Sequence, residues 1–139
     1  MSPIIRRRSI LLAGLSILLL VLSSCGAPGP VTATMTEYAF KLSQPTAKSG
    51  KVTFRIVNSG SIVHEMVVVQ TDLAADKLPK AADGSVDEEK VTSMGEQGDI
   101  DAGKSVDLTL DLPAGRYMLI CNLPGHFQQG MYTDFTVTS

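Results

Sequence analysis

The feature that most narrows the fold of this chain is alternation. "GKVTFRIVN" (50–58) sets Val52, Phe54 and Ile56 on one face and Thr53 and Arg55 on the other. "SVDLTLDL" sets Val106, Leu108, Leu110 and Leu112 against Asp107, Thr109 and Asp111. "GRYMLIC" aligns Tyr117, Leu119 and Cys121, and "MYTDFTVT" aligns Met131, Thr133, Phe135 and Val137. Successive side chains of a strand point to opposite faces, so a period of two marks a half-buried strand. "HEMVVVQ" (64–70) is a β-branched run of strand length. Turn residues in "SGK", "NSGS", "DAGK" and "PAG" separate these runs. Several short strands with regular turns predict an all-β domain, a Greek-key antiparallel β-sandwich.

The pattern fails over 71–103. That stretch is rich in Ala, Asp, Glu and Lys, and ten acidic residues lie between Asp72 and Asp107. "LAADKL" suits a short helix before Pro79, and "SVDEEKV" suits another turn or two. It is expected to be a partly helical or irregular insertion lying across one side of the sandwich. Its charge reads as a solvated face, with a docking surface for a basic partner as the sharper alternative.

The first 24 residues are set aside from the fold, because they read as an export signal. Arg6, Arg7 and Arg8 precede an apolar run from Ile10 to Leu22, the order of an export signal. The run is short for a membrane span, which needs about 20 apolar residues. It ends in "LSSC", which resembles a bacterial lipobox. That resemblance implies cleavage before Cys25 and lipidation of its thiol, with each buried methylene contributing roughly 0.8 kcal/mol of membrane affinity. An ordinary secretory signal or an uncleaved anchor is the plainer alternative. "RRSIL" also loosely resembles a twin-arginine export motif. Residues 25–30 are then expected to be the lipidated Cys25 and a Gly/Pro tether, and 31–139 to be one domain.

Cleavage would remove three of the 12 basic residues and none of the 14 acidic ones, leaving nine against fourteen, a formal charge of −5. An acidic chain of this kind is not expected to bind nucleic acid. If Cys25 carries lipid, Cys121 is the one free thiol of an exported protein. An unpaired thiol in an oxidising compartment invites an occupant. A Cys25–Cys121 disulfide is the alternative, though it would tie the core to the tether.

The chain has two histidines, His64 and His126. "CNLPGHFQQGM" spaces Cys121, His126 and Met131 five residues apart. Singly, each has a bland reading: a surface histidine, a core methionine, a small buried thiol. Together they fit a metal. Two imidazoles and a thiolate in a trigonal plane with a weak axial thioether make an electron-transfer copper site. Cys121 closes one inward-facing run and Met131 opens the next. "LPG" and "QQG" turn the chain between them, and His64 opens the distant "HEMVVV" run. Cys-His-His also suits zinc, although structural zinc sites more often pair closely spaced cysteines.

The segment "GRYMLICNLPGHFQQGMYTDFTV" resembles the C-terminal ligand loop of the blue copper proteins, the cupredoxins. Gly115, Tyr117 and Cys121 match their G-x-Y-x-x-x-C strand, and "CNLPGH" is similar to the azurin loop. The Cys-x4-His-x4-Met spacing resembles that of rusticyanin and sulfocyanin. "VNSGSIVHEM" is similar to the region that carries the first histidine ligand. The resemblance implies His64, Cys121 and His126 as equatorial copper ligands and Met131 as the axial one. One departure stands beside the site: azurin- and plastocyanin-like members place a bracing Asn after the first histidine, and this chain has Glu65. Alternation should turn the Glu65 side chain away from the metal, leaving its backbone N–H free to approach the Cys121 sulfur.

The family resemblance implies a membrane-tethered blue copper electron carrier on the outer, periplasmic or extracellular, side of a bacterial cytoplasmic membrane. Its expected partners are redox proteins such as cytochromes, respiratory complexes or copper oxidoreductases, with no small-molecule substrate. His126 would be the electron port, framed by an apolar patch of Leu123, Pro124, Phe127 and Ile62. Catalysis is not expected, because catalytic copper needs further histidines and both are committed. The alternative is an envelope copper-binding or delivery protein, for which Met35, Met66, Met94 and Met118 offer scattered thioethers.

Overall fold

The alternating runs all become strands. A computed structural model describes residues 29–139; the expected leader (1–24), Cys25 and the first part of the tether lie outside the described residues. The strands are β1 (Val31–Thr36), β2 (Ala39–Leu42), β3 (Thr46–Lys48), β4 (Gly50–Asn58), β5 (His64–Gln70), β6 (Thr92–Ile100), β7 (Ser105–Leu112), β8 (Gly115–Ile120) and β9 (Tyr132–Thr138). One sheet runs β2-β1-β4-β7, the other β3-β9-β8-β5-β6. Most pairings are antiparallel, as expected, but β1–β4 and β3–β9 are parallel. A period-two pattern is the same in either direction, so alternation alone does not set strand polarity.

The two sheets close on one core. Val31, Ala33 and Met35 of β1 and Val52, Phe54 and Ile56 of β4 face Met66, Val68, Tyr117, Leu119, Cys121, Met131, Phe135 and Val137. Phe54 and Phe135 meet edge-on across the sandwich, centroids 5.2 Å apart. Tyr117 is buried, and its hydroxyl donates to the Pro113 carbonyl at 2.6 Å, which anchors the turn into β8.

The "HEMVVVQ" run has no polar face because β5 is covered on both sides. Met66 and Val68 enter the main core, while Val67 and Val69 enter a second cluster with Leu78, Val86, Met118, Ile120 and Phe127. The segment after Thr71 supplies Leu78 and Val86, so the insertion does lie across one face of the sandwich. Its expected helices are single 3-10 turns, at Ala75–Lys77 and Glu88–Lys90. Its last part is different: 92–100 is a strand, β6, paired antiparallel to β5. Three features of β6 blur its alternation. Gly95 lies at φ +152° and lets β6 approach β7; a Cβ there would sit 2.6 Å from Leu110 Cδ2. Asp99 sits at φ +49°. The β5–β6 register shifts between His64 and Met66, as at a β-bulge.

Candidate metal centre

His64, Cys121, His126 and Met131 come together at one end of the sandwich. Each arrives for a local reason. His64 is the first residue of β5, in phase with Met66 and Val68, so it points inward. Cys121 follows β8 in phase with Tyr117 and Leu119. The His126 N–H closes a turn onto the Leu123 carbonyl at 3.0 Å, with Pro124 second and Gly125 third at φ +83°. That is the sequence signature of a type II turn. One 3-10 turn follows, Phe127–Gln129, and Gly130 ends it at φ +96°. The backbone then ties the three loop residues to one another: Cys121 N–H donates to the Met131 carbonyl at 3.0 Å, and Met131 N–H to the His126 carbonyl at 3.1 Å.

The donor atoms converge. His64 Nδ1 and His126 Nδ1 are 3.2 Å apart, Cys121 Sγ is 3.2 Å from His126 Nδ1 and 4.0 Å from His64 Nδ1. A triangle of those sides has a circumscribed radius of about 2.0 Å, so one point lies about 2.0 Å from all three donors. Typical bonds from a first-row dication to nitrogen and thiolate sulfur are about 2.0–2.3 Å, as zinc shows. Three such donors in a plane, with the fully buried Met131 beside them, fit a trigonal site with a soft axial partner.

The surroundings favour the neutral forms of these side chains. Burial lowers the His64 imidazole below its ordinary range, helped by His126 and opposed by Glu37. Burial also lowers His126. The Cys121 thiol is pushed up, first by burial, against backbone N–H groups of Glu65 and Leu123 that favour the thiolate. The Glu65 N–H points at Sγ from 3.4 Å, the approach that the outward-turned side chain leaves open. The Glu65 side chain turns the other way and is half-buried. Its carboxyl is raised mainly by burial, against the Asn122 N–H and with the nearby charges of Glu88, Glu96 and Asp99.

Four further residues shape the site, and sequence reasoning passed over them. Asn58, fully buried, donates through Nδ2 to the carbonyls of Ile62 and Ile100 and accepts at Oδ1 from Gly60 N–H. It shapes the loop that delivers His64, yet in "NSGS" it reads as a turn residue. Glu37 accepts from the Ser61 N–H and hydroxyl. Tyr38, at φ +60°, stacks edge-on against the His126 ring at 5.3 Å. Asn122 bonds to the insertion. Of the apolar frame expected around His126, Leu123 is half-buried and Pro124 exposed, but Phe127 is buried in the second cluster. Ile62 is 37% exposed, as expected, and Val63 beside it is 38% exposed.

The family model described as the Sulfocyanin (SoxE) domain matches residues 17–139. The chain belongs to the sulfocyanin family. It is a cupredoxin in fold as well. Auracyanin from Roseiflexus castenholzii superposes with a TM-score of 0.63 at 19% identity, over 82% of this chain and 100% of the auracyanin. Auracyanin A from Chloroflexus aurantiacus gives 0.54 at 24% identity, over 79% and 100%. Rusticyanin from Thiobacillus ferrooxidans gives 0.51 at 22% identity, over 78% of this chain and 75% of that one. No curated protein matches the sequence. The cofactor of this sulfocyanin-family chain is one type 1 copper, for which its His64–Cys121–His126–Met131 cluster is suited, and its family and site make it a blue copper electron carrier.

Proposed function

We propose that the protein is a membrane-tethered one-electron carrier on the outer side of a bacterial cytoplasmic membrane, with His64 Nδ1, Cys121 Sγ and His126 Nδ1 as equatorial copper ligands and the Met131 thioether as the axial one. The observation that carries the ligand assignment is the single point about 2.0 Å from all three donors. Bound copper supplies a reversible one-electron couple. The chain supplies the frame. Cys121 binds as thiolate, so metal uptake releases its proton, and two backbone N–H groups then steady the sulfur. His64 and Cys121 are buried, while His126 is partly exposed and gives the site its edge toward solvent. That makes His126 the electron port. Ile62, Val63 and Pro124 offer an apolar rim, suited to the brief encounters a carrier makes with cytochromes, respiratory complexes or copper oxidoreductases.

The tether follows from "LSSC" and the Gly/Pro linker. Lipid on Cys25 would confine the domain to the membrane plane and raise its effective concentration near membrane-bound partners. The delivery alternative loses its motive, because Met35, Met66 and Met118 are core residues and Met94 packs against the core.

The optical test is direct. Copper-loaded protein should be intensely blue or green with reversible one-electron voltammetry, and Cys121→Ser should abolish the colour while keeping the fold. A colourless Cu(II) complex of the wild type, or a coloured Cys121→Ser, would refute the assignment. Mass spectrometry of the mature protein should find Cys25 at the N-terminus carrying acyl chains. An N-terminus elsewhere, or an unmodified Cys25, would refute the lipid tether.

A further inference from the structure

Loop 121–131 is held from two sides. The ligands stand on its inner side. On its outer side stands a small hairpin from the insertion, residues 79–87. Asp87 N–H donates to the Pro79 carbonyl at 2.9 Å and Ala81 N–H to the Ser85 carbonyl at 2.9 Å, with Lys80 opposite Val86. The tip is pinned by Asp83 Oδ1, which accepts from the Ser85 N–H at 3.0 Å and its hydroxyl at 2.7 Å.

This hairpin grips the ligand loop at three places. Asn122 Oδ1 accepts from Val86 N–H at 2.7 Å, and its Nδ2 donates to the Val86 carbonyl at 2.9 Å and to Glu88 Oε1 at 2.8 Å. Both amide hydrogens and the amide oxygen are thereby engaged. Phe127, 3% exposed, packs with Leu78 and Val86 in the second cluster, and Lys80 Nζ lies 6.0 Å from its ring centre. Gln128 Nε2 donates to the Asp83 carbonyl at 2.6 Å. There the hairpin comes so close that a Cβ on Gly84, itself at φ +85°, would lie 2.0 Å from Gln128 Nε2. The grips at 122, 127 and 128 straddle His126.

We propose that residues 79–88 are a strap that holds the copper-ligand loop in its metal-binding shape, with Asn122 as the positioning residue, an inference that rests on the copper reading above. The position after His64, where the resemblance implies a bracing Asn, is Glu65. The bracing amide stands instead beside Cys121 and reaches a partner outside the ligand set. Ordering a loop costs backbone entropy. A strap formed on folding meets that cost before metal binds, so more of the binding energy appears as affinity. The same frame also serves both oxidation states, which limits rearrangement on electron transfer.

The test compares wild type, Asn122→Ala, Asn122→Asp, Gln128→Ala and, as a control in the same insertion, Lys77→Ala. Copper is titrated against a chelator of known affinity. The visible charge-transfer bands and the electron self-exchange rate are recorded on the loaded proteins. Asn122→Ala and Asn122→Asp should bind Cu(II) about 10–100-fold more weakly, the usual effect of losing a group that orients a metal ligand, with altered band ratios and slower self-exchange. Asn122→Asp has nearly the same shape but offers no donors, so shape alone should not rescue it. Gln128→Ala should shift the same readouts less, and Lys77→Ala should match wild type. A folded Asn122→Ala with wild-type affinity and spectrum overturns the strap. So does a variant that melts earlier with affinity and spectrum unchanged, because that is stability without positioning. If Asn122→Ala does not fold, Gln128→Ala decides by the same criteria. A colourless wild type would overturn the copper reading instead; a blue wild type with indifferent variants would overturn the strap alone.

Discussion

Asn58→Ala should be among the most damaging single changes away from the ligands. Asn58 ends β4 with no exposed surface. Its Nδ2 donates to the Ile62 and Ile100 carbonyls, both at 2.8 Å, and its Oδ1 accepts from Gly60 N–H at 2.9 Å. Ile62 lies two residues before His64, and Ile100 is the β6 residue opposite His64. Alanine deletes all three bonds, each contributing about 1 kcal/mol net, and strands buried backbone groups at a further cost of about 1–2 kcal/mol. The sum is about 4–5 kcal/mol, which for a domain near 110 residues lowers the melting temperature by roughly 17–22 °C. The loss should appear in urea and thermal unfolding of the metal-free protein. Because the bonds flank His64, copper affinity measured by competition should fall as well. A loss under about 1 kcal/mol with unchanged copper affinity would refute the view that this side chain holds the first histidine in place.

Three further outcomes are expected. The Glu37 carboxyl is held down at about 2 from an ordinary 4.5, chiefly by the Ser61 N–H. A depressed acid stabilises the fold above its unfolded pKa, and that part is lost as pH falls from about 4.5 toward 2; Glu37→Gln should flatten this component of a stability–pH curve, and an unaltered curve would disprove the link. In metal-free protein His64 and His126 are both lowered from 6.5 by burial, so stability should fall as pH drops below about 6.5, where the unfolded chain binds protons first. Melting scans between about pH 7.5 and 5.5 should show a smaller loss for copper-loaded protein, whose imidazoles are occupied; equal slopes would count against the metal assignment. Gly95→Ala adds a Cβ 2.6 Å from Leu110 Cδ2 at a backbone angle that disfavours side chains. It should cost about 1–3 kcal/mol, and a neutral result in chemical denaturation would show that β6 and β7 can part without penalty.

Much of this protein was determined by its sequence. A strand has a period of two whatever surrounds it, so Val52, Phe54 and Ile56, or Tyr117, Leu119 and Cys121, declare their inward face locally. The ligand loop is legible for the same reason: Pro124 and Gly125 specify their turn through their own backbone limits. With two histidines in the chain, few ligand sets were possible. Strand phase likewise turns the Glu65 side chain away from the inward face that His64 shares with Met66 and Val68.

Tertiary structure decided what depends on partners distant in sequence. Alternation carries no direction, so the parallel β1–β4 and β3–β9 pairings emerged only in the assembled sheets. Strand β6 was hidden because Gly95 and the Asp99 bulge break the period that would have marked it, and it holds its shape through β5 and β7. Phe127 looked like a surface residue beside His126 until the insertion covered it. Asn58, Tyr38 and Asn122 are ordinary letters in the sequence. Their roles lie in hydrogen bonds and ring contacts to residues 42, 88 and 36 positions away. The sequence therefore names the candidate metal ligands, because their chemistry is intrinsic to the side chains. The fold names the groups that hold them, because a hydrogen bond or a ring contact exists only when both of its ends are in place.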